Sequence, residues 1–158
     1  MPNNRMTPPA VAFRPHHFLC SLGYAGKGYS PEFTANMTAI VQHRLRATGG
    51  EHTLIRVVAA ADDICAACPK RREDRCVNQA EILDIDARHA AALGLKPGDL
   101  LTWGQALERI RTRIAPKDLE TVCKGCQWLK LGLCQQAVAQ LRTQSPKYKK
   151  TPPRFGTA

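Results

Sequence analysis

Two copies of one cysteine pattern, 58 residues apart, constrain this chain more than any other feature. Cys65-Ala66-Ala67-Cys68 is followed by seven residues and then Cys76; Cys123-Lys124-Gly125-Cys126 is followed by seven residues and then Cys134. Six of the seven cysteines therefore fall in two C-x2-C-x7-C triads, a regularity that chance placement explains poorly. Thiolates separated by two residues in a tight turn can grip one metal centre, and a third reaches it from the following loop. The pattern points to metal or iron–sulfur binding, against buried structural thiols or a redox disulfide pair.

The bulk properties narrow the class. A chain of 158 residues suits one compact domain, or two small halves sharing a core. Only 4 Phe, 3 Tyr and 2 Trp are present, so the core must be built mostly from Leu, Ile, Val and Ala, with metal centres replacing part of it. No apolar run approaches the length of a bilayer span. The start, Met1-Pro2-Asn3-Asn4-Arg5, lacks the apolar core of a secretory signal. With an odd cysteine count this disfavours a disulfide scaffold and implies a reducing cytoplasm.

A net charge of +10 invites a nucleic-acid reading. Four of those charges, Lys147, Lys149, Lys150 and Arg154, sit in an acid-free tail. A further cluster, Lys70-Arg71-Arg72-Glu73-Asp74-Arg75, occupies the loop of the first triad. An oxidised four-thiolate cubane carries about two negative charges, so cations beside it are a natural counterweight. No aromatic-interleaved basic stripe appears, and a solvated basic surface is the plainer account of the charge.

Along the chain, residues 1–12 are expected to be disordered, 13–144 to form a cysteine-rich metal-binding domain, and 145–158 a basic flexible tail. Pro15 opens a short helix placing His16 and Cys20 on one face. Gly23, Gly26 and Gly28 mark a loop too irregular for a dinucleotide fingerprint. Ser30-Pro31-Glu32 caps a helix through Leu45 that Gly49-Gly50 ends. Thr53 to Val58 is the best strand candidate. Asp84-Ile85-Asp86 opens a helix ending at Gly94. Thr102 and Gln105 form a capping box for a helix to about Ile114. A short helix from Pro116 leads into the second triad, and another runs from near Cys134 through Leu141. The fold class is α+β, predominantly helical with a small sheet element.

Three thiolates are one short of a closed tetrahedral zinc site or a fully protein-ligated cubane. Cys20, His16 and His17 are the obvious supply. In one arrangement each triad holds a [4Fe–4S] cluster, Cys20 completing one and a histidine the other. In a second, Cys65, Cys68, Cys123 and Cys126 form a single site, leaving Cys76 and Cys134 spare. Pro69 after Cys68, as in ferredoxin-type runs, and the apolar loop from Trp128 to Leu133 favour iron–sulfur over zinc. Neither C-x2-C precedes His, which excludes covalent haem. Asp62 and Asp63 are expected to cap the first triad's loop. Trp128 should shield the metal and Trp103 should lie in the core. Tyr24 and Tyr29 border the glycine loop and read as packing residues, and His43, His52 and His89 as solvated surface.

The runs Arg14-Pro15-His16-His17-Phe18-Leu19-Cys20, Tyr24-Ala25-Gly26-Lys27-Gly28-Tyr29-Ser30, Asn36-Met37, Asp63 to Pro69 and the second triad together resemble an uncharacterised bacterial and archaeal family. That family is a cysteine-rich domain of unknown function often labelled iron–sulfur binding, and the resemblance covers roughly residues 14–140. It implies metal or cluster binding through the matched cysteines and the histidine pair, and no known reaction. The expectation is thus an iron–sulfur protein with one or two [4Fe–4S] clusters, working with a redox partner in electron transfer or redox sensing. An iron lacking a cysteine ligand could act as a Lewis acid on a substrate beside His16, His17 and the glycine loop. The rival is a zinc-stabilised module that uses its basic surface on nucleic acid.

Overall fold

Alternating burial along three short segments builds the sheet on which the candidate residues are hung. The computed structural model describes residues 9–73, 75–126 and 128–144. In chain order the elements are β1 (Val11–Phe13), α1 (His17–Gly23), α2 (Pro31–Ile40), β2 (Leu54–Val57), β3 (Arg71–Arg72), β4 (Arg75–Cys76), α3 (Gln79–Leu93), β5 (Leu100–Thr102), α4 (Trp103–Arg113), α5 (Leu119–Val122) and α6 (Leu133–Thr143). The domain is α+β and mainly helical, with a mixed sheet of order β1-β2-β5 and a separate β3–β4 hairpin. In the sheet, Val11, Phe13, Ile55, Val57 and Leu101 are buried while Leu54, Arg56 and Leu100 face solvent. That is the period-2 pattern of a sheet with one covered face.

The parallel pairing of β1 with β2, Val11 opposite Ile55 and Phe13 opposite Val57, has a functional consequence. Parallel strands bring their C-terminal ends side by side. The segment 14–20 leaves β1 next to the segment 58–68 that leaves β2, so the histidine pair and the first triad start from one edge. The junction is tied by the Val58 amide to the Phe13 carbonyl (3.0 Å), the Asp63 amide to the Ala12 carbonyl (3.1 Å) and the Ala12 amide to Asp63 Oδ2 (2.9 Å).

Local sequence signals set most boundaries. Ser30 Oγ accepts the Phe33 amide (3.0 Å) ahead of Pro31, and Thr102 and Gln105 exchange both bonds of the capping box. Gly94, at φ 68°, ends α3 in the left-handed conformation that glycine tolerates. Phe33, Met37, Trp103, Ile110, Leu119 and Val138 join the sheet residues in one core. Each fully buried side chain of this kind contributes about 1.5–3 kcal/mol.

Three expectations change. β1 begins inside the 1–12 segment, because Val11 and Ala12 gain ladder partners on β2. α1 starts at His17, since Pro15 and His16 are held in a turn by the His17 amide to the Arg14 carbonyl (3.0 Å). α3 starts at Gln79, which puts Asp86 in mid-helix instead of at a helix start. The tail 145–158 lies outside the described residues. No helix of the described residues is long and apolar enough to cross a membrane.

Candidate metal centre

Eight of the nine residues expected as ligands line one cavity of about 160 Å³: Cys20, Cys65, Cys68, Cys76, Cys126, Cys134, His16 and His17. They arrive from α1 and the turn before it, the loop after β2, the β3–β4 hairpin, the loop before α6 and the first turn of α6. The ninth, Cys123, is buried behind that lining: its thiol donates to His89 Nε2 at 3.4 Å. All seven cysteines are free thiols, so the disulfide alternative finds no bond here.

The thiols fall into two groups. Around the second triad, the Cys20 thiol donates to Cys126; that bond pushes Cys20 well above the ordinary thiol range and pulls Cys126 below it. Burial raises Cys134 to about 11 and Cys123 to about 12, each also feeling the negative charge of Cys126. Around the first triad, burial and then the Asp62 charge raise Cys65 to about 12. Cys68, raised mainly by burial, also feels Cys76. The structure thus gathers Cys20 with Cys123, Cys126 and Cys134 of the second triad.

The histidine pair is held by buried carboxylates. His16 Nδ1 lies 2.6 Å from Asp86 Oδ1, and His17 Nδ1 lies 2.6 Å from Asp62 Oδ2. A carboxylate on Nδ1 holds a proton on that nitrogen, so that in the neutral ring Nε2 keeps its lone pair, the arrangement that orients metal-binding histidines. Asp62 also accepts the Arg14, Ile64 and Cys65 amides (2.6, 3.0 and 3.0 Å), the capping role expected of it. Although burial works to raise Asp62, the His17 charge and hydrogen bond and these amides outweigh it and hold the carboxyl below its usual range. A ring nitrogen of His17, a carboxylate oxygen of Asp62 and the Cys65 sulfur lie within 4.8 Å of one another. His17 also lowers Cys126 electrostatically, so it stands between the two thiol groups.

Asp86 and His89 were invisible as site residues. Asp86 accepts Arg14 Nε (2.7 Å), the His16 amide (3.1 Å) and His16 Nδ1. Burial opposes its ionisation, yet His16 and Arg14 hold it at about 2. His89, expected on the surface, is buried; its Nδ1 donates to the Ile85 carbonyl (2.9 Å) and burial lowers it to about 4. The spacing Ile82, Ile85, Asp86, His89, Leu93 carried the signal, because it sets both polar residues on the apolar face of α3. His43 and His52 are exposed, and Trp103 is in the core. Trp128 and Tyr29 line the cavity, Trp128 Nε1 donating to the Tyr29 hydroxyl at 3.2 Å.

Close packing fixes Cys134. A Cβ on Gly23 would stand 2.8 Å from Cys134 Sγ and 2.9 Å from its Cα, a backbone atom that cannot swing aside. Gly23→Ala is therefore expected to push α1 and α6 apart at the cavity and cost about 1–3 kcal/mol, read as a lower denaturation midpoint. An unchanged midpoint would show that the two helices are not in contact there.

Fold and cavity define a helical α+β domain with thiols and carboxylate-held histidines gathered on the wall of one cavity. Soft sulfur and imidazole donors of this kind suit iron–sulfur clusters, zinc or copper(I), whereas the two carboxylates are consumed by their hydrogen bonds. The chain belongs to a family described as a protein of unknown function, DUF1284, whose model matches residues 28–132. That match includes both C-x2-C pairs and Cys76, and it leaves His16, His17, Cys20 and Cys134 outside it. No curated protein and no solved structure matches the chain.

Proposed function

We propose that this chain is an iron–sulfur protein, with the cavity holding its cluster or clusters, and that it serves electron transfer or redox sensing with a partner protein. The observation that carries the reading is the six thiols turned toward one cavity from both triads and α1. Six thiols and two imidazoles exceed the four donors that one tetrahedral zinc or one cubane takes up, so the set is large enough for more than one centre. Cys20, Cys126 and Cys134 would hold one centre. Cys65, Cys68 and Cys76, with His17 beside Cys65, would hold or complete another. When bound, the cluster supplies one-electron chemistry. Arg14, whose Nη1 lies 3.9 Å from Cys65 Sγ, and the exposed Arg71, Arg72 and Arg75 would balance its charge.

The redox role is tested by adding dithionite to anaerobically purified protein and then readmitting a mild oxidant. The brown visible absorption is expected to bleach and return over repeated cycles. Absorption unaffected by dithionite would contradict the redox role, and a colourless protein carrying stoichiometric zinc would favour the zinc-stabilised module.

A further inference from the structure

His16 and His17 both line the cavity, with their ring centroids 4.2 Å apart. Each gives its Nδ1 to a different buried carboxylate at 2.6 Å, His16 to Asp86 and His17 to Asp62. Neither Nε2 has a hydrogen-bond partner among the described residues. A carboxylate behind an imidazole is the arrangement that holds metal-binding histidines, and here it occurs twice, side by side. A cubane built on thiolates does not require two such pairs.

The charges around the pair point the same way. Arg14 and Asp86 form a buried ion pair and cancel. Asp62, whose side chain is 0% exposed, is bonded to three backbone amides and to His17. With the imidazoles neutral, as ligation requires, its negative charge stands alone. Cys65, whose sulfur lies within 4.8 Å of a His17 ring nitrogen, adds a second negative charge once it ligates. Burial and the Asp62 charge favour the protonated thiol, and a coordinated divalent ion removes that proton outright. Two negative charges beside a cancelled ion pair suit one divalent cation.

We propose that His16 Nε2, His17 Nε2 and Cys65 Sγ hold a single zinc ion, with Asp86 and Asp62 orienting the two imidazoles. Two nitrogens and one sulfur are donors that zinc takes readily. Three protein ligands leave a fourth position for water or a substrate in the cavity, as in catalytic zinc sites. The site is thus a Lewis-acid centre, separate from a cluster on Cys20, Cys126 and Cys134. It rests on the reading above only in leaving the cluster to those three cysteines.

The test is zinc-edge X-ray absorption on anaerobically purified protein dialysed against zinc sulfate and then zinc-free buffer, with zinc, iron and sulfide assayed on the same sample. One zinc per chain is expected, with one sulfur at about 2.3 Å and two imidazole nitrogens at about 2.0–2.1 Å. An all-sulfur shell, or no retained zinc, would overturn the proposal. Cys65→Ser is expected to remove the sulfur from the shell. Both it and His16→Gln should weaken zinc by more than the about 10–100-fold that a lost orienting partner costs. Undiminished zinc in either folded variant would mark the metal as adventitious and overturn the site. His16→Gln leaves the Arg14–Asp86 pair in place; should it fail to fold, Cys65→Ser decides on the same criterion. Zinc in a shell of two nitrogens and one sulfur, on protein with neither iron nor sulfide, would refute the cluster and keep this site. Iron and sulfide on protein that retains no zinc would do the reverse.

Discussion

Asp86→Asn is expected to destabilise the domain by about 3–5 kcal/mol, the largest single-residue effect outside the cysteines. Arg14 and Asp86 side chains are 1% and 8% exposed, so neither charge can fall back on water. Removing the carboxylate charge strands a guanidinium whose Nη2 already lacks a hydrogen-bond partner among the described residues. The His16 ring and amide lose their charged acceptor in the same step. Against a typical total of about 5–15 kcal/mol, such a loss removes a large share of the stability. Urea denaturation reads it directly. Arg14→Met combined with Asp86→Asn should be less damaged than Asp86→Asn alone, because the stranded charge is gone. A drop below about 1 kcal/mol for the single variant would mean that water reaches Arg14.

The second large effect concerns metal. Cys20→Ser and Cys126→Ser are each expected to abolish the iron held by the second thiol group, since the two thiols share a hydrogen bond and both line the cavity. Cys123→Ser should retain more iron than either, its thiol being hydrogen-bonded to His89 and not lining the cavity. Asp62→Asn acts indirectly: with the charge that orients His17 removed, metal affinity should fall about 10–100-fold while the cysteines remain. Iron counted per folded chain after each replacement distinguishes these cases. Full retention in Cys20→Ser would refute its assignment, and complete loss in Cys123→Ser would restore the intact triad as a ligand set.

Part of this was legible in residue order alone. The caps at Ser30 and Thr102, the strand after Gly49-Gly50 and the two triads are local signals, read from spacing and propensity. The pairing of Cys20 with the second triad could be suspected only from cysteine arithmetic. What escaped the sequence was long-range. Asp86 lies 72 residues from Arg14, and nothing near either one announces that they share a buried ion pair. His89 read as surface because a lone histidine on an amphipathic helix usually is; its burial depends on α3 packing against the second triad's loop. Arg88 helps hold that loop by donating to the Lys124 carbonyl (2.5 Å). Likewise the identical spacing of the triads suggested equivalent roles, yet the fold gives Cys123 to His89 and leaves Cys65 lining the cavity.

The central claim is that the gathered thiols hold an iron–sulfur cluster, and oxygen-free purification followed by iron and acid-labile sulfide assay addresses it most directly. The account predicts a brown protein containing iron and sulfide in near-equal amounts. Protein prepared under those conditions with neither iron nor sulfide would contradict it.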